Sequence, residues 1–128
     1  MHHDMMYIGK KMQNDEIQTN LPLSETTFFI LLSLMSSDKH GYAIAKDVQI
    51  LSKNHISLST STLYTALKRL LEDGWIARAG EDTEPDESGR PRKTYQLTDL
   101  GRRVIEAEKA RLRLLLDAAN LRSLGEQG

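Results

Sequence analysis

Residues 58–78, which read LSTSTLYTALKRLLEDGWIAR, are the stretch that decides the fold. Apolar side chains recur there at helical spacing, at positions Leu63, Ala66, Leu67, Leu70 and Leu71. Ser59 or Thr60 can cap the start of a helix, and Gly74 can end it in a left-handed conformation. The sequence therefore predicts a short, well-delimited helix between these two signals.

The other side of this helix carries small hydroxyls first and cations after them. Its outward residues are Ser61, Thr62, Thr65, Lys68, Arg69 and Glu72, with Tyr64 at the margin. Hydroxyls near a helix N-terminus can approach phosphates and base edges in a DNA groove, and Lys or Arg adds charge-assisted bonds. A solvated surface helix without a partner would show the same pattern, so this helix alone leaves both readings open.

Two helices are expected before this segment. In the first, Ser24 is the expected N-cap and the apolar positions are Phe28, Leu31, Leu32 and Met35. The second has Gly41 at its start, after a polar turn that includes Lys39 and His40. Its apolar stripe is Tyr42, Ile44, Ala45, Val48 and Leu51. Residues 1–20 show no sustained period and are interpreted as a flexible or partner-dependent arm.

Two strands and a long helix are expected after it. Trp75–Arg78 and Lys93–Leu97 read as strands joined by a Gly-, Pro- and acid-rich loop at 79–91, and Trp75 is expected to pack on Leu70. Thr98 can cap the last helix, with Asp99 placed favourably at its positive end. The fold class is therefore mainly α with a small β-hairpin, in the order of a winged helix-turn-helix.

Length and composition fit one such domain with a long closing helix. The chain has 128 residues and a net charge of -1. It contains no cysteine, and the absence of cysteine excludes disulfides and thiolate metal sites. We expect an arm at 1–20, a winged helix-turn-helix domain at 21–97 and a C-terminal dimerisation helix at 98–124. No cofactor is expected.

Positive charge is concentrated where the hairpin returns to its second strand, at Arg90, Arg92 and Lys93. In a winged domain these side chains would lie along the DNA backbone or minor groove beside the recognition helix. The preceding loop carries more acids than bases, however, because it contains Glu81, Asp82, Glu84, Asp86 and Glu87. We therefore expect the tip of the loop to bend away from DNA. Only the positively charged residues at the foot of the hairpin would then touch the DNA.

Three separated motifs follow one another along the chain: HGYAIAKDV at 40–48, STLYTALKRLLEDGWI at 61–76 and GRPRKTYQLTDLGRR at 89–103. Together they resemble motifs of the PadR family of bacterial transcriptional regulators, and the resemblance covers roughly residues 21–108. It implies a winged helix-turn-helix dimer, usually a repressor, whose C-terminal helix forms the dimer interface. It also places Gly41 and Tyr42 in helix two, Tyr64 and Lys68 in the recognition helix, and Gly89, Arg90, Pro91 and Lys93 in the wing.

The last helix carries a second signal for a dimer. From Leu112 onward it is apolar over more than one face, and so wide an arc must be buried by something beyond its own small domain. The expected interface residues are Leu100, Val104, Leu112, Leu115 and Ala119. Glu106–Lys109 and Glu108–Arg111 are i,i+3 ion pairs that support the helix only weakly.

The sequence thus predicts a cytoplasmic, homodimeric regulator that binds double-stranded DNA at a two-fold operator. The expected DNA-binding residues are Ser61, Thr62, Tyr64, Thr65, Lys68, Arg69, Arg90, Arg92 and Lys93. The resemblance leaves a small-molecule effector open, although the last helix contains no aromatic residue.

A winged-helix module for protein–protein contact, without DNA binding, is the alternative that the acidic loop and the near-zero net charge keep open. An enzyme is not expected, because no catalytic constellation, phosphate-binding glycine loop or metal-spaced cluster stands out. A membrane protein is not expected either, since the longest apolar run, at 28–35, is too short to span a bilayer.

Overall fold

The structure, a computed structural model, describes residues 17–80 and 93–127, with side chains described to residue 124. The described residues belong to two compact units, one made of Leu23–Arg102 and the other containing 17–22 and 103–127. Arg90 and Arg92, the acidic loop and most of the expected N-terminal arm lie outside the described residues.

The predicted order of helices and strands is confirmed, with one strand added. The elements are α1 (Glu25–Ser36), β1 (Lys39–His40), α2 (Gly41–Leu51), α3 (Thr60–Asp73), β2 (Ile76–Arg78), β3 (Thr94–Leu97) and α4 (Asp99–Gln127). Residues 17–19 are also helical. In the part of the chain that the structure describes, no helix is both long and apolar enough to cross a membrane.

The predicted helix caps are confirmed and refined. Ser24 accepts a hydrogen bond from the Thr27 N–H at 3.1 Å and so caps α1. Ser59, rather than Thr60, caps α3 by accepting the Thr62 N–H at 3.2 Å. At the other end of α3, Gly74 has a φ of 79°, a left-handed conformation that favours glycine.

A three-stranded antiparallel sheet takes the place of the expected two-stranded hairpin. The strand order is β1-β3-β2, with Ile76 opposite Leu97 and Lys39 opposite Tyr95. The segment Lys39–His40 was expected to be a polar turn, and this prediction was wrong. Two residues carry too little pattern to mark a strand, and they adopt one because β3 offers them a pairing edge.

The core of the 23–102 unit is formed by residues from all three of its helices and from the sheet. Its buried apolar side chains are Ile30, Leu31, Leu34, Ile44, Val48, Leu63, Leu67, Leu70, Trp75, Ile76 and Tyr95. Burial of Trp75 agrees with its expected structural role. The backbone N–H of Trp75 also donates to the Leu70 carbonyl at 3.0 Å, as is usual where a helix ends in a left-handed glycine.

The predicted apolar faces of the first two helices were partly wrong. In α1 the buried apolar side chains are Ile30, Leu31 and Leu34, whereas Phe28, Leu32 and Met35 are only half-buried. This helix is apolar on nearly every side, so periodicity cannot select its inner face.

In α2, Tyr42 and Leu51 are exposed, although both were placed on the apolar stripe; Ile44 and Val48 are buried and Ala45 is half-buried. Tyr42 lies about 200° around the helix from Ile44, which places it on the opposite side. Leu51 is the last residue of α2, so no further helical turn covers it.

The start of α4 is joined to the end of α3 by Thr98 and Gly101. The Thr98 hydroxyl accepts the Gly101 N–H at 3.0 Å, which confirms its predicted role as the cap of α4, and donates to the Gly74 carbonyl at 2.7 Å. Gly101 lies so close to Trp75 that a Cβ at this position would overlap the Trp75 carbonyl oxygen. A glycine is needed here for space, since its φ is not left-handed.

In the remainder of α4, side chains are buried near its start and exposed toward its end. Val104, Ile105 and Glu108 are buried, while the side chains from Leu112 to Leu124 are exposed. Both predicted ion pairs are confirmed: Glu106–Lys109 at 3.4 Å, and Glu108–Arg111 with two hydrogen bonds of 2.6 and 2.9 Å. The hydrogen bond to Glu108 raises the pKa of the Arg111 guanidinium above its ordinary value.

Candidate nucleic-acid interface

Helices α2 and α3 form a helix-turn-helix whose connection is fixed by local hydrogen bonds. The buried Ser52 hydroxyl accepts the Ile56 N–H at 3.0 Å. Lys53 and Asn54 follow with φ values of 54° and 67°, and the Asn54 N–H donates to the Gln49 carbonyl at 2.9 Å. This left-handed pair reverses the chain direction after α2 and leads it to the cap of α3.

The exposed side of α3 carries the residues that the sequence predicted to face DNA. Its core side is Leu63, Leu67 and Leu70, with Ala66 and Leu71 half-buried. The exposed residues that were expected to bind DNA are Ser61, Thr62, Tyr64, Thr65, Lys68 and Arg69. The structure therefore brings six of the expected DNA-binding residues together on the exposed surface of one helix.

The cations of α3 are only weakly paired. Arg69 Nε lies 4.0 Å from Asp73 Oδ2, an exposed i,i+4 pair that contributes little. Lys68 forms no ion pair with any residue in the described ranges. Both side chains can therefore reach a polyanion without breaking a strong internal contact.

At the start of α3, the hydroxyl groups form a small cluster. Ser59 Oγ donates to Thr62 Oγ1 at 2.9 Å and lies 3.4 Å from Ser61 Oγ. Because Ser59 also caps the helix, this cluster is fixed to the helix terminus, where backbone N–H groups favour an anion. Thr65 lies one turn further along on the same side as Ser61.

Two tyrosines flank the helix-turn-helix. Tyr64 on α3 is 42% exposed and its ring lies beside Gly41, at the start of α2. Tyr42, the second residue of α2, is 76% exposed. Sequence reasoning did not include Tyr42 among the site residues; its position opposite Ile44 on the helix was the signal that could have identified it.

Of the basic residues expected in the wing, the structure describes only Lys93. It is exposed and directly precedes β3. Arg90 and Arg92 lie outside the described residues, as do Gly89, Pro91 and the five acids of the loop. Another lysine of the sheet, Lys39, is not available to a ligand, because its Nζ donates to the Ser33 carbonyl at 2.6 Å and to Ser36 Oγ at 2.8 Å.

The residues expected at a dimer interface differ in exposure. Leu112 is 38% exposed and Leu115 54%, Ala119 is exposed, and Leu100 is half-buried. Val104 is fully buried in the single chain and so has no surface to offer a partner. Leu114, Leu116, Leu121 and Leu124 are also exposed on the same helix.

Across residues 17–80 and 93–127, no group of three His, Cys, Asp or Glu side chains could hold a metal ion. The described site is instead a short exposed helix bearing hydroxyls and cations, presented by a helix-turn-helix with a β-sheet beside it. This arrangement defines the chain as a winged helix-turn-helix protein.

Comparisons with known proteins agree with this class. Residues 30–107 match the model of the transcriptional regulator PadR-like family. No curated protein is significantly similar to the chain.

Solved structures of similar fold are numerous. A PadR family transcription regulator from Clostridium difficile is 31% identical, with a TM-score of 0.61, over 77% of this chain and 97% of that one. A PadR-like transcription factor from Bacteroides fragilis is 28% identical, with a TM-score of 0.59, over 73% and 85% of the two chains. Bacillus subtilis PadR in complex with operator DNA is 26% identical, with a TM-score of 0.56, over 67% and 46%.

The family model covers more than half of the chain, and the resemblance drawn from the three sequence motifs is thereby confirmed. The chain belongs to the PadR-like family of transcriptional regulators.

Proposed function

We propose that this protein binds a two-fold DNA operator as a homodimer and represses transcription there. The observation that carries the proposal is the exposed side of α3, on which hydroxyls and cations lie opposite the buried side chains of Leu63, Leu67 and Leu70. The similarity to Bacillus subtilis PadR in complex with operator DNA supports the DNA-binding part of the proposal.

The residues of α3 would divide the work of recognition. Ser61 and Thr62, fixed at the capped start of the helix, would donate to phosphate oxygens. Thr65 and Lys68, further along the exposed side, would reach base edges in the major groove, and Arg69 and Tyr64 at the margins would contact the backbone. Changes at Thr65 or Lys68 should therefore alter sequence preference.

The wing would add contacts that do not depend on sequence. Lys93 is exposed at the start of β3, and Arg90 and Arg92 precede it in the chain. Their contacts would be to phosphates, so their loss should weaken binding to every DNA sequence alike.

Dimerisation would place two recognition helices on one face of the duplex, about 34 Å apart. The exposed apolar surface of α4, including Leu112, Leu115 and Ala119, supports an interface between two copies of the helix. Val104 is not part of this proposal, because it is already buried in one chain. A two-fold dimer calls for a palindromic operator.

Selection of bound DNA from a random pool, followed by affinity measurements on the selected site, tests the proposal. We expect an enriched palindrome and a binding constant that falls steeply with salt. Failure to enrich any sequence, together with no salt-sensitive complex on duplex DNA, would contradict DNA binding and favour the protein–protein alternative. A promoter–reporter assay with and without the protein then distinguishes repression from activation.

Two variants and a control separate the proposed roles. Lys68→Gln should change the selected sequence, whereas Lys93→Gln should weaken all sites and reduce the salt slope by about 0.9, the value for one phosphate contact. Lys109→Gln removes the same charge from α4, from a residue that is not among those proposed to contact DNA, and should leave both sequence preference and slope unchanged. Equal effects of all three variants would mean that only net charge matters.

A further inference from the structure

Gly41 and Tyr64 form a close steric pair within the helix-turn-helix. An ideal Cβ at Gly41 would lie 2.6 Å from the Tyr64 hydroxyl oxygen and 3.0 Å from its ring carbon Cζ. Real Cβ atoms essentially never approach another heavy atom closer than 3.0 Å. The tip of the Tyr64 side chain thus occupies the space that any side chain at position 41 would fill.

The backbone does not explain a glycine at this position. Gly41 is the first residue of α2 and its φ is not left-handed, so an alanine could adopt the same conformation. In a helix, alanine would even be favoured over glycine, by about 1 kcal/mol in an interior position. The feature that distinguishes glycine from alanine here is therefore the space that the Tyr64 ring occupies.

The contact between Gly41 and Tyr64 lies where three parts of the 23–102 unit meet. Gly41 follows β1, whose His40 lies opposite Thr94 of the wing strand β3, with 3.0 Å between His40 Nδ1 and Thr94 Oγ1. Tyr64 belongs to α3, the helix that carries the proposed DNA-facing residues. The Tyr64 ring therefore lies against the junction of the sheet with α2, outside its own helix.

Resting on the proposed DNA binding, we propose that Gly41 is a positioning residue for Tyr64. It holds the tyrosine in the orientation that operator binding requires while making no contact with DNA itself. Because Tyr64 is 42% exposed, its ring can rotate into solvent when the methyl group of an alanine at position 41 takes its place. A substitution at Gly41 should therefore reduce affinity for DNA much more than it reduces stability.

A double-mutant cycle on the full chain tests this inference. Gly41→Ala, Tyr64→Ala and the double variant are compared with the wild type for affinity to the selected operator and for thermal midpoint. We expect Gly41→Ala to weaken binding roughly tenfold in the wild-type background and to have almost no effect once Tyr64 is absent. Gln49→Ala, an exposed change elsewhere on α2, should leave affinity unchanged.

A second readout reports the ring without DNA. With fluorotyrosine incorporated, the ¹⁹F resonance that disappears in Tyr64→Ala identifies Tyr64, and Gly41→Ala should shift that resonance. An unshifted resonance, or an affinity loss of equal size in both backgrounds, would overturn the positioning role. A wild type that binds no DNA would instead overturn the proposed function, and this inference with it.

Discussion

Two buried serines in the 23–102 unit differ in whether their hydroxyls have partners. Ser33 is 1% exposed, and its Oγ makes no hydrogen bond with any residue of the described ranges. Ser52 is also buried, but its Oγ accepts the Ile56 N–H at 3.0 Å. A buried hydroxyl without a partner costs free energy, whereas one that satisfies a backbone N–H stabilises the fold.

Alanine substitutions at these two serines should therefore have different effects on stability. Ser33→Ala should leave the free energy of unfolding unchanged or raise it by up to about 1 kcal/mol, since it removes an unsatisfied hydroxyl and favours the helix. Ser52→Ala should lower it by about 1–3 kcal/mol, because the Ile56 N–H loses its acceptor. Urea unfolding followed by circular dichroism measures both; a larger loss at Ser33 would contradict the assignment.

At this scale, local signals in the sequence were sufficient where the interaction itself is local. Ser24, Ser59 and Gly74 could be predicted as caps because their capping bonds reach only three or four residues along the chain. The exposure of Tyr64 was also predictable from the helical wheel, but its contact with Gly41 was not, because the two residues lie in different helices.

At the scale of whole elements, one hydroxyl group joins two helices. Thr98 Oγ1 accepts a hydrogen bond at the start of α4 and donates one to the carbonyl of Gly74, which ends α3. The Thr98 N–H also donates to the Trp75 carbonyl at 3.1 Å. The end of the recognition helix and the start of the closing helix are therefore fixed to each other by short polar contacts.

Removal of the Thr98 hydroxyl should destabilise both the end of α3 and the start of α4. Thr98→Val, which keeps the side-chain shape, should lower the free energy of unfolding by about 1–3 kcal/mol, because a cap and a carbonyl partner are lost together. Thr98→Ser retains the hydroxyl and is the matched control, with an expected change below about 1 kcal/mol. Chemical denaturation of both variants checks this; equal losses would indicate that packing of the methyl group, and not the hydroxyl, is responsible.

Element types and their order could be read from the sequence, but long-range partners could not. The pattern of α3 predicted both its bounds and its faces, because its apolar and polar sides are well separated. Strand β1 and the inner face of α1 depend on distant neighbours instead. For β1 the neighbour is β3, which lies more than fifty residues away along the chain.

For the whole molecule, the exposed apolar surface of α4 is the feature with the largest consequence. Exposed leucines at 112, 114, 115, 116, 121 and 124 form a surface that a lone soluble chain would rarely leave uncovered. The sequence predicted this surface because it depends only on composition and helical spacing.

A charge placed on this surface should therefore dissociate the proposed dimer. Leu115→Glu should shift the protein toward the monomer in sedimentation velocity experiments and weaken operator binding, since a buried unpaired carboxylate is costly at an interface. Leu115→Met changes the same position but keeps an apolar side chain, and should leave the dimer intact. If the wild type sediments as a monomer at all concentrations, the dimer proposal is wrong.

The position of Trp75 also gives the protein an internal optical probe. It is the chain's single tryptophan, and it is buried at the connection between α3 and β2, where its backbone carbonyl lies against Gly101 of α4. A buried tryptophan emits at shorter wavelength than one in water, so a red shift on heating or in denaturant would report the exposure of Trp75 as this junction opens. Since Trp75 lies at the opposite end of α3 from Ser61 and Thr62, its emission can follow unfolding of the junction while the DNA-facing end of the helix is varied.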